Sequence, residues 1–184
     1  MLQFNFTPYP VLRTERLCLR AVTLSDVHEV LFLRSDEEVM RYIDRPRATT
    51  VTEAETFIGL ISRGIADDTD ITWGITIAGE DVLIGYLGFW RMKPEHHRAE
   101  VGYALHPSWQ GKGIAGEALR AILDYGFNVM KLHSVEANVN PGNLASIKLL
   151  ERHGFVREAY FREDFLWNGQ FLDSAIYCLL TPHR

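Results

Sequence analysis

From Ile71 to Leu105 the chain alternates between apolar and small or polar residues three times over, and segments with a helical repeat lie on either side. Ile71, Trp73, Ile75 and Ile77 alternate with Thr72, Gly74 and Thr76. Residues 82–91 (VLIGYLGFWR) follow a Gly79-Glu80-Asp81 turn. Ala99, Val101, Tyr103 and Leu105 alternate with Glu100, Gly102, Ala104 and His106. Period-two runs joined by short turns predict a three-stranded meander, and its apolar face needs helices to cover it.

Helices are available on both sides. Upstream, residues 13–21 read as a first strand. Thr23-Leu-Ser25-Asp26, Ser35-Asp-Glu-Glu38 and Thr52-Glu-Ala-Glu55 are helix-start patterns, and Ala54, Phe57, Ile58, Ile61 and Ile65 share one helical face. Downstream, Ala118, Leu119, Ile122, Leu123, Phe127 and Met130 predict an amphipathic helix. Residues 133–139 read as a strand, and Asn143 caps a short helix that ends at Gly154. Residues 155–167 and 171–180 flank Asn168-Gly169, a strong hairpin signal. The predicted order is strand, two helices, three-strand meander, helix, strand, helix and two strands. That is one α+β (mixed α/β) domain over residues 1–184, built on a single sheet.

A chain of 184 residues can bury a core without disulfide or metal staples. Its net charge of −5 weighs against a generic nucleic-acid binder, which would neutralise phosphates with basic residues. No apolar run approaches the length of a membrane span, and MLQFNFTPYP lacks the basic-then-apolar pattern of a secretory leader, so a cytoplasmic location is expected. Cys18 and Cys178 are far apart and read as buried strand thiols. The seven histidines show no ligand spacing, and no metal is expected; His96-His97 reads as a polar turn. Asp67-Asp68 and Asp70 read as a solvated acidic loop, with attraction of a cationic acceptor as the alternative.

The chemistry centres on HPSWQGKGIAGEAL, residues 106–119. A strand runs into Gly111, Gly113 and Gly116, and a helix begins there. Unpaired N–H groups and the helix dipole make such a terminus an anion site, and glycines let a phosphate approach the backbone. GKGIAG also fits the dinucleotide fingerprint G-x-G-x-x-G, with Glu136 twenty residues beyond Gly116. Against that, the preceding strand alternates, Pro107-Ser-Trp-Gln110 intervenes, and no second βαβ unit follows.

Gln110-Gly-Lys-Gly113-Ile-Ala115 fits the Q/R-x-x-G-x-G/A signature, and the chain resembles the GNAT N-acetyltransferases, most narrowly the RimJ/RimL-type branch that acetylates ribosomal-protein N-termini. TERLCLRAVTLSD, NVNPGNLASIKLLERHGF and FLWNGQFLDSAIYCLL extend the resemblance over nearly the whole chain. It implies a mixed sheet splayed at its centre, with acetyl-CoA wedged into the opening. Gln110, Gly111, Lys112, Gly113, Ile114, Ala115 and Gly116 would hold the pyrophosphate, the backbone of Leu105 and His106 would pair with the pantetheine arm, and Asn143 would also contact the cofactor.

Transfer of an acetyl group to an amine needs a neutral amine, a stabilised tetrahedral oxyanion and a leaving thiolate that is protonated. Glu100, on the strand face opposite Val101, Tyr103 and Leu105, is the candidate base; its plain alternative is a strand carboxylate paired with Arg98 or another cation. Ser146 is the candidate donor to the thiolate, its alternative an exposed helical serine. Many relatives use a tyrosine near that position, but the helix after Asn143 contains none. Trp90 is a candidate wall of the acceptor pocket, or simply core. An α-amine is about a tenth neutral at pH 7 and a lysine about one part in 2,500, a gap of roughly 3–4 kcal/mol. A single carboxylate therefore fits a protein or peptide N-terminus, with a ribosomal protein as the expected partner. A small amine or antibiotic is the alternative acceptor, and a non-catalytic acyl-CoA sensor is the alternative of another class. A homodimer stays open; no nucleic acid or membrane is expected.

Overall fold

The computed structural model describes residues 1–182. Its strands are β1 (Leu12–Arg13), β2 (Leu17–Ala21), β3 (Ile71–Ile77), β4 (Gly85–Lys93), β5 (Arg98–Leu105), β6 (Ser134–Val139), β7 (Val156–Trp167) and β8 (Gln170–Leu180). Its helices are α1 (Val27–Ser35), α2 (Glu37–Met40), α3 (Val51–Ala66), α4 (Ile114–Asn128) and α5 (Leu144–Arg152). The eight strands form one sheet in the order β1-β2-β3-β4-β5-β6-β8-β7. The β5–β6 pair is parallel and every other pair antiparallel. The predicted mixed α/β fold with a single mixed sheet is the fold observed.

Helices cover both faces of the meander. Leu87, Phe89 and Val101 pack with Ala118, Leu119, Ile122 and Phe127 of α4. Tyr86 and Ala104 pack on the other face with Val30 and Leu33 of α1 and Ala54 and Ile58 of α3. Each apolar side chain of that size contributes about 1.5–3 kcal/mol when fully buried. Six of the seven β3 residues are buried, including Thr72, Gly74 and Thr76. The alternation of β3 thus separates a large-residue face from a small-residue face, rather than core from solvent.

Two helix starts differ from the sequence pattern. The third helix is capped at Thr50, whose Oγ1 accepts from Glu53 N (3.3 Å) while Glu53 Oε2 accepts from Thr50 N (3.1 Å). The box is therefore Thr50/Glu53 rather than Thr52/Glu55. Similarly, Asp36 rather than Ser35 caps α2, accepting from Glu38 N and Val39 N at 3.0 Å. In both cases the residue used is the one with extended backbone angles, which a cap requires. Asp68 is not part of a purely solvated loop: it accepts the Phe6 amide at 2.8 Å and anchors the N-terminal segment.

One feature of the sheet creates the site. The β5–β6 ladder pairs Arg98 with Ser134, Ala99 with Val135 and Glu100 with Glu136, and stops there. Yet β5 continues to Leu105 and β6 to Val139. Beyond Glu100 the strands diverge, and the sheet opens.

Candidate active site

The backbone phase of β5 sets what faces the opening. His106 N donates to Ile84 O (2.8 Å), on the β4 side, while His97 O accepts from His133 and Ser134 on the β6 side. Polar groups alternate along a strand, so Val101, Tyr103 and Leu105 turn their N–H and C=O to the β6 side; the Glu100–Glu136 rung uses the Val101 N–H, and Tyr103 and Leu105 lie beyond it, at the opening. His106 does not: its N–H is spent on Ile84, its carbonyl accepts from Trp109 N (2.9 Å), and its ring stacks on Phe32 with centroids 4.4 Å apart. Of the two residues expected to offer backbone to a pantetheine arm, only Leu105 faces that way. Its carbonyl accepts from Gln110 Nε2 at 3.1 Å, so the Gln110 side chain braces the strand end.

At the end of β5 the chain makes a short helical turn, Pro107–Trp109, and reaches the glycines. Gly111 and Gly113 have φ of +71° and +77°, a left-handed backbone that a side chain would strain. Glu117 N is the first amide bonded within α4, to Gly113 O at 3.0 Å. The N–H groups of Ile114, Ala115 and Gly116 therefore occupy the open first turn. Lys112 Nζ lies 5.1 Å from the centre of the Trp109 ring. Arg16, which the sequence did not single out, ties the loop to β2: its NH1 donates to Lys112 O (3.0 Å) and its Nε to Glu117 Oε2 (2.6 Å). Gly116 is close-packed, because a Cβ there would lie 3.1 Å from His153 Cε1. His153 in turn bridges α4 and α5, with Nε2 2.9 Å from Gly116 O and Nδ1 2.8 Å from Leu149 O. A bare helix terminus with positive-φ glycines and open space around Gly111 fits a diphosphate.

Across the opening, Asn143 Oδ1 accepts from Ser146 N (3.1 Å) and caps α5. The Ser146 hydroxyl meets the Tyr103 hydroxyl at 2.6 Å. Burial pushes the Tyr103 phenol up to about 12, partly offset by the bond to Ser146. Tyr103 thus brings a phenol from β5 to Ser146 on a helix that has no tyrosine of its own. Its place in an alternating apolar run made it look like core; no local signal marked it.

Glu100 sits where the ladder ends. Its Oε2 accepts from Arg91 NH1 (2.9 Å) and its Oε1 from Trp90 Nε1 (3.4 Å). The pairing cation is therefore Arg91 rather than Arg98, both within the alternative left open for Glu100; Arg98 pairs with Glu136 and also reaches Cys178 Sγ (3.2 Å). Burial raises the Cys178 thiol to about 11, an unreactive state. The Trp90 ring lies over Gly102, where a Cβ would come within 2.0 Å of Cζ2, which accounts for the glycine.

Glu100, Trp90, Tyr103, Asn143 and Ser146 all line one cleft of about 650 Å³. The glycine loop lies outside its walls. The cleft runs from Asn143 and Ser146 to Arg34, the 42–45 loop and the β7–β8 hairpin. At that far end, Arg34 Nε is buried without a hydrogen-bond partner, the one such side-chain atom among the described residues. Its guanidinium sits over Phe57, 4.7 Å from the ring centre. Asp44 is half-buried, has no ion-pair partner among the described residues, and burial raises its carboxyl above the usual range. Neither residue stood out in the sequence, since both lie in segments without a motif. No group of three or more metal-ligating side chains occurs among the described residues.

A splayed mixed sheet with a glycine turn and bare helix terminus beside the opening defines a transferase that takes a coenzyme A thioester. The chain belongs to the acetyltransferase (GNAT) domain family, which it matches over residues 16–156. It is 36% identical over 169 residues to "Uncharacterized N-acetyltransferase p20" of Bacillus licheniformis, covering 92% of this chain and 95% of that protein. It is 32% identical over 126 residues to the [ribosomal protein uS5]-alanine N-acetyltransferase of Escherichia coli, covering 68% and 65%. The structure of spermidine N-acetyltransferase from Vibrio cholerae in complex with CoA and spermine superposes with a TM-score of 0.80 at 27% identity, covering 91% and 97%. The protein is an acetyl-CoA-dependent N-acetyltransferase, with acetyl-CoA as donor.

Proposed function

We propose that the acceptor is the N-terminal α-amine of a polypeptide, of the ribosomal-protein type, acetylated in the cytoplasm. The observation that carries this reading is Arg34, which lines the cleft and whose buried Nε has no hydrogen-bond partner among the described residues. A buried donor left unmade costs about 1–3 kcal/mol. A peptide carbonyl supplies the missing acceptor oxygen, and a polyamine has none. The similarity to the uS5-alanine enzyme points the same way.

In this reading the N–H groups at Gly111–Gly116 hold the pyrophosphate, with Lys112 adding charge. The β5 edge beyond the ladder, at Tyr103 and the Leu105 N–H, positions the pantetheine arm, and Asn143 shapes the cleft beside it. Glu100 accepts the amine's proton, directly or through water, while Arg91 and Trp90 fix its orientation. Trp90 forms the wall against which the acceptor lies. The Tyr103–Ser146 pair donates hydrogen bonds to the thiolate as it departs.

A polyamine is the second reading, supported by Asp44, a half-buried carboxylate without an ion-pair partner among the described residues, and by the similarity to the spermidine enzyme. One assay separates the two: thiol release on free-N-terminus peptides, N-acetylated lysine peptides and spermidine, with mass spectrometry of each product. Turnover of the first set at its α-amine is expected. Faster turnover of spermidine than of every peptide overturns the peptide reading.

A further inference from the structure

A second cavity, of about 380 Å³, lies outside the cleft between the loop after α2 and the tip of the β7–β8 hairpin. Ile43 and Arg45 line both spaces, so the two are adjacent. Its charged residues are Arg41, Arg45, Arg47 and Glu37, and Trp167 closes the hairpin side. Arg47 is committed to Glu37, with NH1 2.8 Å from Oε1. Arg41 and Arg45 have no ion-pair partner among the described residues; the Arg41 guanidinium lies 5.8 Å from the Tyr42 ring centre. In a chain of net charge −5 this is a local excess of positive charge. Two uncommitted arginines, Arg41 and Arg45, beside an indole make a surface that binds carboxylates through forked hydrogen bonds and resists a polycation.

We propose that this cavity is a subsite for acidic side chains of the acceptor polypeptide, downstream of the amine being acetylated. The inference rests on the peptide reading above. An acceptor whose amine lies near Glu100 leaves the cleft past Ile43 and Arg45, and the residues that follow enter the cavity. There their carboxylates pair with Arg41 and Arg45. Asp44 faces the cleft alone and Arg41 the outer cavity alone. The loop therefore presents negative charge where a cationic amine enters and positive charge where the rest of the chain leaves. Acceptors with an acidic stretch near the N-terminus are selected over neutral or basic ones, chiefly through KM.

The test uses the full chain and peptides that share a free α-amine and the same leading residues. They carry Glu, Gln or Lys at the positions that follow. In the wild type, kcat/KM for the Glu peptide should exceed that for the Lys peptide about tenfold. The ratio should shrink toward one in high salt, since these arginines are exposed. Arg41→Glu/Arg45→Glu should invert it. Because the ratio is taken within each enzyme preparation, partial misfolding cancels. A wild-type ratio near one, or a ratio the double variant leaves unchanged, overturns the subsite. So does a variant whose only change is a higher KM for acetyl-CoA, which would place the arginines on the donor. If no peptide is acetylated while spermidine is, the peptide reading falls and this proposal with it; equal turnover of the three peptides removes this proposal alone.

Discussion

Replacing Tyr103 by phenylalanine deletes one hydroxyl from the Tyr103–Ser146 pair and leaves the ring in place. Burial holds the phenol at about 12. A thiol of ordinary acidity titrates near 8.5, so complete proton transfer from Tyr103 to a thiolate would be uphill by about 3.5 units, on the order of 5 kcal/mol. That cost makes Tyr103 a fixed hydrogen-bond donor to developing charge rather than a proton source. Loss of one such donor should lower kcat about ten- to a hundredfold, roughly 1.4–2.8 kcal/mol, with KM for acetyl-CoA little changed. Ser146→Ala alone should give a loss in the same range. Because the two hydroxyls are 2.6 Å apart, the double variant should lose less than the product of the single losses. The assay is steady-state thiol release between about pH 6 and about pH 10. With the phenol raised above its ordinary value of 10, the wild type should show no decline in kcat near pH 10 from this residue. A kcat for Tyr103→Phe within about twofold of wild type, or strictly multiplicative effects, would refute the pairing argument.

Gly113→Asp should weaken coenzyme A at least about tenfold by calorimetry with a native circular dichroism spectrum, because it sets a carboxylate at the phosphate site; unchanged affinity removes that site. Glu100→Gln should lower kcat/KM most below the amine's own pKa and be partly rescued as pH rises, whereas a profile parallel to wild type rules out the base. Asp26, buried beside Arg20 at 2.7 Å, feels burial pushing its carboxyl up, but hydrogen bonds from Arg20 and Thr23 outweigh it and the net direction is down. Its stabilisation is therefore complete above the unfolded value near 3.9 and is lost as pH falls through the lower folded value. Asp26→Asn should cost about 1–3 kcal/mol in denaturant unfolding at neutral pH, because Arg20 keeps its bonds to the Ala21 and Asp81 carbonyls, and an unchanged stability overturns the reasoning.

Most elements and their order were legible in local pattern, although the first predicted strand is two, β1 and β2, and three helices rather than two precede the meander. Hydrophobic period is a local property, so the meander, the faces of α3 and α4, the Asn143 cap and the hairpin at Asn168-Gly169 could be read directly. The glycine loop was legible for the same reason: positive φ and a bare helix start are requirements of a few adjacent residues. Cap positions slipped by one or two residues at α2 and α3, where neighbouring Ser, Thr and Asp side chains compete and only the backbone angles decide.

The features that local pattern does not carry lie where distant segments meet. The divergence of β5 from β6 after Glu100 is a matter of strand pairing, which the alternation of either strand does not encode. It turned Tyr103 from apparent core into the partner of a serine 43 residues away. It also gave Glu100 to Arg91 instead of Arg98, because Glu136 on the adjacent strand claims Arg98. Arg34, Asp44 and the arginines of the outer cavity acquire meaning from burial, and burial depends on what packs against a residue. Periodicity reports which face a side chain occupies, whereas chemistry depends on what stands opposite that face, and only the folded chain fixes the second.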